Sequence, residues 1–129
     1  MKNKPEIYEF DPQIYPVKLW VTFTDNIESL TERFVTSVSK SRLDTDCMNR
    51  YRATTNMVLQ NTEPKHFGIL IVFESRKYCV IKNITHESVH AVRFILNHLG
   101  EDDCIGWEEE AYLAGWVADC IDKARRSVK

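Results

Sequence analysis

The sequence predicts an α+β domain in which a small antiparallel or mixed twisted sheet packs on about three helices. Three observations lead to this class. Residues 16–24 and 67–74 are short apolar stretches of strand length, the first with the strict two-residue alternation of a half-buried strand. Residues 84–99 and 108–124 repeat their apolar positions with the 3.6-residue period of helices. The 129 residues, 43% of them hydrophobic, are enough for one core, and no repeat or linker divides them.

Taken in order, residues 1–13 are polar and expected to be extended or partly disordered. Residues 16–24 turn Val17, Leu19, Val21 and Phe23 to one side. Asp25, with Glu28 three residues on, resembles a capping box and predicts a helix to about Lys40, with Ile27, Leu30, Phe34, Val35 and Val38 as its apolar stripe. Residues 41–52 read as an irregular loop. Residues 54–60, 67–74 and 77–82 then read as three short strands of an antiparallel meander, joined by turns at 61–66 and 75–76. Asn83 suits the N-cap of a helix opening at Ile84 and running to Leu99, where Gly100 supplies a left-handed terminus. The last helix, 108–124, is expected to bury Tyr112, Leu113, Trp116, Val117, Cys120 and Ile121.

Composition narrows the function. The net charge is -2 and the Lys and Arg residues are dispersed, so no basic patch with interleaved aromatics speaks for nucleic-acid binding. The most apolar stretch, residues 68–73, is of strand length, and no membrane span is expected. Cys47, Cys79, Cys104 and Cys120 form no C-x-x-C pair and are expected to be reduced thiols in a cytoplasmic setting.

One motif carries chemistry. His86-Glu87-Ser88-Val89-His90 reads H-E-x-x-H. On a helix, residues four apart point nearly the same way, so both imidazoles can grip one Zn2+, while Glu87 beside them can take a proton from water. The competing reading is a helix with two solvated histidines and an ordinary glutamate. His86, His90, Phe94 and Asn97 share one helical face; Val89, Val92, Leu96 and Leu99 share another.

A zinc site of this kind needs a third protein ligand. Leu96 stands where a third histidine of the same segment would fall, His98 misses that place by two residues, and His66 lies in a polar turn. The acidic run Glu108-Glu109-Glu110, opening the next helix, is the better source. Glu108 shares a face with the small Ala111 and Gly115, which would allow close approach to the histidine helix, and is favoured on that ground. Glu109 and Glu110 remain competitors, and all three also suit the positive end of a helix dipole.

H-E-x-x-H followed by a glutamate on the next helix resembles the gluzincin-type zinc metallopeptidases, and Glu108-x-x-Ala111 matches the E-x-x-A form of their third ligand. More closely, the chain resembles small metallopeptidase-like proteins encoded by tailed bacteriophages and prophages. The similar segments are Ile14-Tyr15-Pro16-Val17-Lys18-Leu19-Trp20-Val21, Thr85 to Ala91, and Glu108-x-x-Ala111-Tyr112-Leu113-x-Gly115-Trp116. The resemblance implies a minimal zincin-like domain with His86, His90 and Glu108 on Zn2+ and Glu87 as catalytic acid/base. Tyr112 stands where several gluzincins carry an aspartate, so the surroundings of the ligands must be built differently.

The expected chemistry is hydrolysis of a peptide or protein substrate by a metal-activated water. Tyr112 is a candidate oxyanion donor, Asp119 and Asn97 are candidates to orient the imidazoles, and an open edge of the meander would hold an extended peptide. The alternatives are a catalytically silent zinc-binding phage structural or host-interaction protein and, less in keeping with the joint motifs, a metal-free binding module. The setting implied is the bacterial host cytoplasm or the virion, with a phage or host protein as a further partner.

Overall fold

Strands Ile7–Phe10 (β1), Lys18–Phe23 (β2), Phe34–Thr36 (β3), Ala53–Gln60 (β4) and Phe67–Phe73 (β5) form one sheet in the order β1-β2-β5-β4-β3. β2 and β5 run parallel at its centre, with Trp20 opposite Leu70, and the other three pairings are antiparallel. The computed structural model describes residues 5–13, 15–100 and 107–127, Trp107 by its backbone alone. The α+β class and the mixed sheet are as expected. Cys104 lies outside the described residues, as do residues 1–4 of the segment expected to be extended or disordered and Ile14 of the first resembling segment.

Both faces of the sheet are covered, and this explains why β2 is not half-buried. Leu19 and Val21 join Ile69, Ile71 and Phe73 under the two long helices, Ile81–Leu99 and Trp107–Arg126. Trp20, Leu70, Val72 and Val58 point the other way, into a second core with Ile27, Leu30, Phe34, Leu43 and Met48. Trp20 is fully buried there against Phe34, ring centroids 4.9 Å apart, and its Nε1 donates to Glu9 Oε1 at 2.8 Å. Gly68, opposite Lys18 on β5, leaves room for that indole. A Cβ at Gly68 would collide with the Lys18 carbonyl oxygen and Trp20 Cζ3.

The second core also decides the fate of residues 25–40. Instead of one helix there is a 3-10 turn, Ile27–Glu32, followed by β3. Ile27 and Leu30, three apart, both face the core, and Phe34 and Val35 pair with β4. The capping box does not form: Asn26 precedes the turn, and Glu28 accepts from Thr45 Oγ1 at 2.6 Å and pairs with Arg42. The loop after it contains one short helical turn, Thr45–Met48 (α1), capped by Asp44 accepting from the Cys47 N–H.

Residues 77–82 are likewise not a strand. A 3-10 turn, Arg76–Tyr78, leads directly into the helix Ile81–Leu99 (α2). Val80 and Ile81 are largely exposed, so no sheet neighbour rewards extending them. Asn83 lies inside α2, its side chain donating to the Tyr78 carbonyl at 2.7 Å. Gly100 ends α2 at φ 71° as expected. The helix Trp107–Arg126 (α3) carries Glu108, Glu109 and Glu110 at its start and Lys123, Arg125 and Arg126 at its end, each set favourable for the helix dipole. Arg76 closes its C-terminus by donating to the carbonyls of Ala124 and Arg125 at 2.9 and 2.8 Å.

Cys79 and Cys120 are free and buried in the helix-side core, whereas Cys47 is free and exposed. Burial pushes the Cys79 thiol up to about 11 and the Cys120 thiol to about 12. Two outcomes are expected. A thiol reagent at pH 8 should modify Cys47 in the native protein and reach Cys79 and Cys120 only on unfolding, read by peptide mass. Because an unfolded thiol ionises near ~8.5, the stability from keeping both neutral is full below that pH and is lost as pH climbs through 11 and 12. Separately, Gly68→Ala should cost about 1–3 kcal/mol through the clash with Trp20, measurable by urea denaturation.

Candidate metal centre

α2 lies over β4 and β5 and also packs against α3. Its sheet-facing stripe is Ser88, Ala91, Val92 and Ile95, all buried. With about 100° between successive residues, His86, His90, Arg93 and Asn97 are carried to the outer side, where all four are exposed. The two imidazoles converge there. Their Nε2 atoms are 3.2 Å apart, and the rings meet edge to face with centroids 4.8 Å apart. The ring of Phe94 stacks beneath His90 at 6.3 Å.

That separation tests the fit to zinc. Two nitrogens held at 2.0–2.1 Å by one tetrahedral zinc ion lie ~3.3 Å apart. His86 and His90 thus fit two of its coordination positions. The same contact is a hydrogen bond between the two rings, with the donor set by their tautomers.

Glu87 sits differently. It is only 5% exposed, and its side chain enters the interface between α2 and β4. The Thr55 hydroxyl donates to Glu87 Oε1 at 2.7 Å, with the Glu87 carbonyl oxygen 3.3 Å away. Next to it on α2, Ser88 Oγ is buried without a hydrogen-bond partner among the described residues.

α3 is rotated relative to the sequence expectation. Its buried stripe is Leu113, Val117, Cys120, Ile121 and Ala124, which places Glu108, Ala111, Gly115 and Asp119 on the opposite, exposed side. An added Cβ at Gly115 would meet nothing within 4 Å, so the small residues do not serve close approach to α2. Glu110 is the glutamate that reaches α2, half-buried and paired with Arg93 at 3.0 Å. Glu109 faces a cleft shared with Tyr15 and Trp116. Among the described residues no three His, Cys, Asp or Glu side chains are grouped closely enough to hold a metal, so Glu108 is not assembled with the histidines here.

The remaining candidates also have definite places. Tyr112, expected in the core, is 75% exposed and lines that same cleft. Asp119 pairs with Lys123 at 3.2 Å, and Asn97 is exposed. His98 stacks on Phe67 at 3.7 Å, and His66 is exposed. Sequence reasoning missed Arg93 and Thr55. Arg93, seven residues after His86 on the same face, signalled a need for an acidic neighbour. Thr55 gave no local signal, since it lies 32 residues from Glu87 and meets it only through the sheet.

β4 adds one more feature. β3 pairs only with Val58 to Gln60. The hydrogen bonds from Glu74 to the Arg52 carbonyl and from Gln60 to the His66 carbonyl show that even-numbered residues of β4 face β5. Ala53 and Thr55 therefore turn their N–H and C=O groups to the other side, where no strand among the described residues pairs with them.

No family model, curated protein or solved structure matches the chain. No described helix is long and apolar enough to cross a membrane.

Removing the donor to the buried Glu87 should be felt. Thr55→Val is expected to destabilise the fold by about 1–3 kcal/mol in chemical denaturation, because the carboxyl group loses its side-chain partner without regaining water.

Proposed function

We propose that this chain is a zinc-dependent peptidase of the gluzincin kind that its motifs resemble, acting in a bacterial host cytoplasm on a peptide or protein. The observation that carries this reading is the 3.2 Å approach of the His86 and His90 Nε2 atoms, which matches two ligands of one tetrahedral ion. A zinc ion held there would supply a Lewis acid and lower the pKa of water toward ~7.

The chain's own groups account for the rest. Glu87 is the acid/base: Thr55 holds Oε1, leaving Oε2 to take a proton from water and return it to the departing amine. The open backbone of Ala53 and Thr55 runs beside Glu87 and suits an extended peptide added as a strand. The first turn of α3 supplies the third ligand. The resemblance assigns Glu108, while the observed packing brings Glu110 to α2 through Arg93.

A second reading, a silent zinc-binding phage structural or host-interaction protein, is favoured by the burial of Glu87 against Thr55, which also serves the fold. Turnover separates the two.

The purified protein should bind one zinc per chain by elemental analysis and calorimetry, and His86→Ala or His90→Ala should abolish it. Glu87→Gln should keep the metal while peptide hydrolysis falls by about 10²-fold or more. If the wild type binds zinc without cleaving any peptide of a random library, the silent reading stands. Zinc lost in Glu108→Ala supports the E-x-x-A register; zinc lost in Glu110→Ala supports the observed one.

A further inference from the structure

We infer that the cleft between the start of α3 and the β1–β2 connection binds a quaternary ammonium group. The cleft has a volume of about 320 Å³ and is lined by Pro12, Tyr15, Glu109, Tyr112, Leu113 and Trp116. Three of its six walls are aromatic rings, and one is a carboxylate. The face of an aromatic ring carries partial negative charge and attracts a cation within ~6 Å, most strongly for Trp. Glu109 adds a full charge at the same place. It has no hydrogen bond or ion pair among the described residues, unlike its neighbour Glu110, which Arg93 neutralises. Of the remaining lining residues Leu113 is buried, and Tyr112 is 75% exposed.

The lining also distinguishes kinds of cation. A primary ammonium carries three N–H donors that need acceptors when water is removed. The side chains here offer one carboxylate and two tyrosine hydroxyls amid apolar surface. A quaternary ammonium has no N–H to satisfy and presents methyl groups to the rings, so it matches both the charge and the apolar character. The cleft is lined by the Glu109 and Tyr112 side of α3, whereas Glu110 turns toward α2. The inference therefore does not rest on the metal reading.

Choline is the probe, read on the Trp116 indole N–H in ¹⁵N–¹H spectra, with the signal assigned through Trp116→Phe. Choline should shift this signal saturably, with and without a chelator. Binding should weaken about tenfold for the neutral isostere 3,3-dimethylbutan-1-ol and for n-butylammonium. Glu109→Gln changes an exposed side chain, and its spectrum reports its own fold; it should weaken choline about tenfold and leave the neutral alcohol unchanged. No saturable shift with choline would overturn the inference. So would equal binding of the neutral alcohol, which makes the cleft merely apolar, or equal or tighter binding of n-butylammonium, which makes it a site for lysine-like amines. An unchanged choline affinity in Glu109→Gln would overturn the role given to the carboxylate.

Discussion

Ala91 and Ile95 are fully buried where α2 crosses β4 and β5, and their burial sets the rotation of the whole helix. Ile95 contributes on the order of 1.5–3 kcal/mol by leaving water, and the smaller Ala91 lets the helix lie close to the sheet. Once that stripe is down, the 100° step per residue leaves no freedom. His86 and His90 must emerge together on the outer side, and Glu87 must fall at the border with the sheet. The site is thus a by-product of core packing: the histidines meet because the apolar residues five positions later are held.

The same packing divides the motif into two environments. The imidazoles are exposed on the outer side of α2. The carboxyl group between them in sequence is nearly dry and tied to Thr55. A carboxyl group tied to Thr55 has a fixed orientation relative to the backbone edge of Ala53 and Thr55. Such fixed orientation follows from the fold itself, since Thr55 and Glu87 are held by the packing of α2 on β4. The open edge depends on β3 being short: a longer partner strand would pair Ala53 and Thr55 and close the edge.

Legibility in the sequence followed how local each determinant is. α2 and its Gly100 terminus, the β4–β5 hairpin and β2 were readable because periodicity and turn residues lie within one segment. The residues of the histidine pair were readable for the same reason. What failed was non-local. Residues 27–36 have a helix-like apolar pattern, yet Trp20 and Leu70 present a second sheet face that needs Phe34 in a strand and Ile27 and Leu30 in a tight turn. Val80 and Ile81 have strand propensity, but no strand among the described residues pairs with them. The Glu87–Thr55 contact spans 32 positions and is visible only once the register of β4 is known.

The three consecutive glutamates of α3 show how rotation governs chemistry. Spaced by 100°, they cannot share a face, and each takes a separate place: Glu108 in solvent, Glu109 in the aromatic cleft, Glu110 against Arg93. Bringing Glu108 to α2 by turning α3 as a rigid body would need about half a turn. That would expose Val117 and Ile121, both fully buried, at roughly 1.5–3 kcal/mol each before any other loss. A rearrangement confined to the residues before Leu113 disturbs none of that core. Among the described contacts it breaks the Arg93–Glu110 pair, whose side chains are 57% and 36% exposed and whose contribution is therefore small, and it moves Glu109 and Tyr112 in the cleft. A metal that recruits Glu108 would accordingly reshape the first turn of α3 and leave the rest of the helix in place.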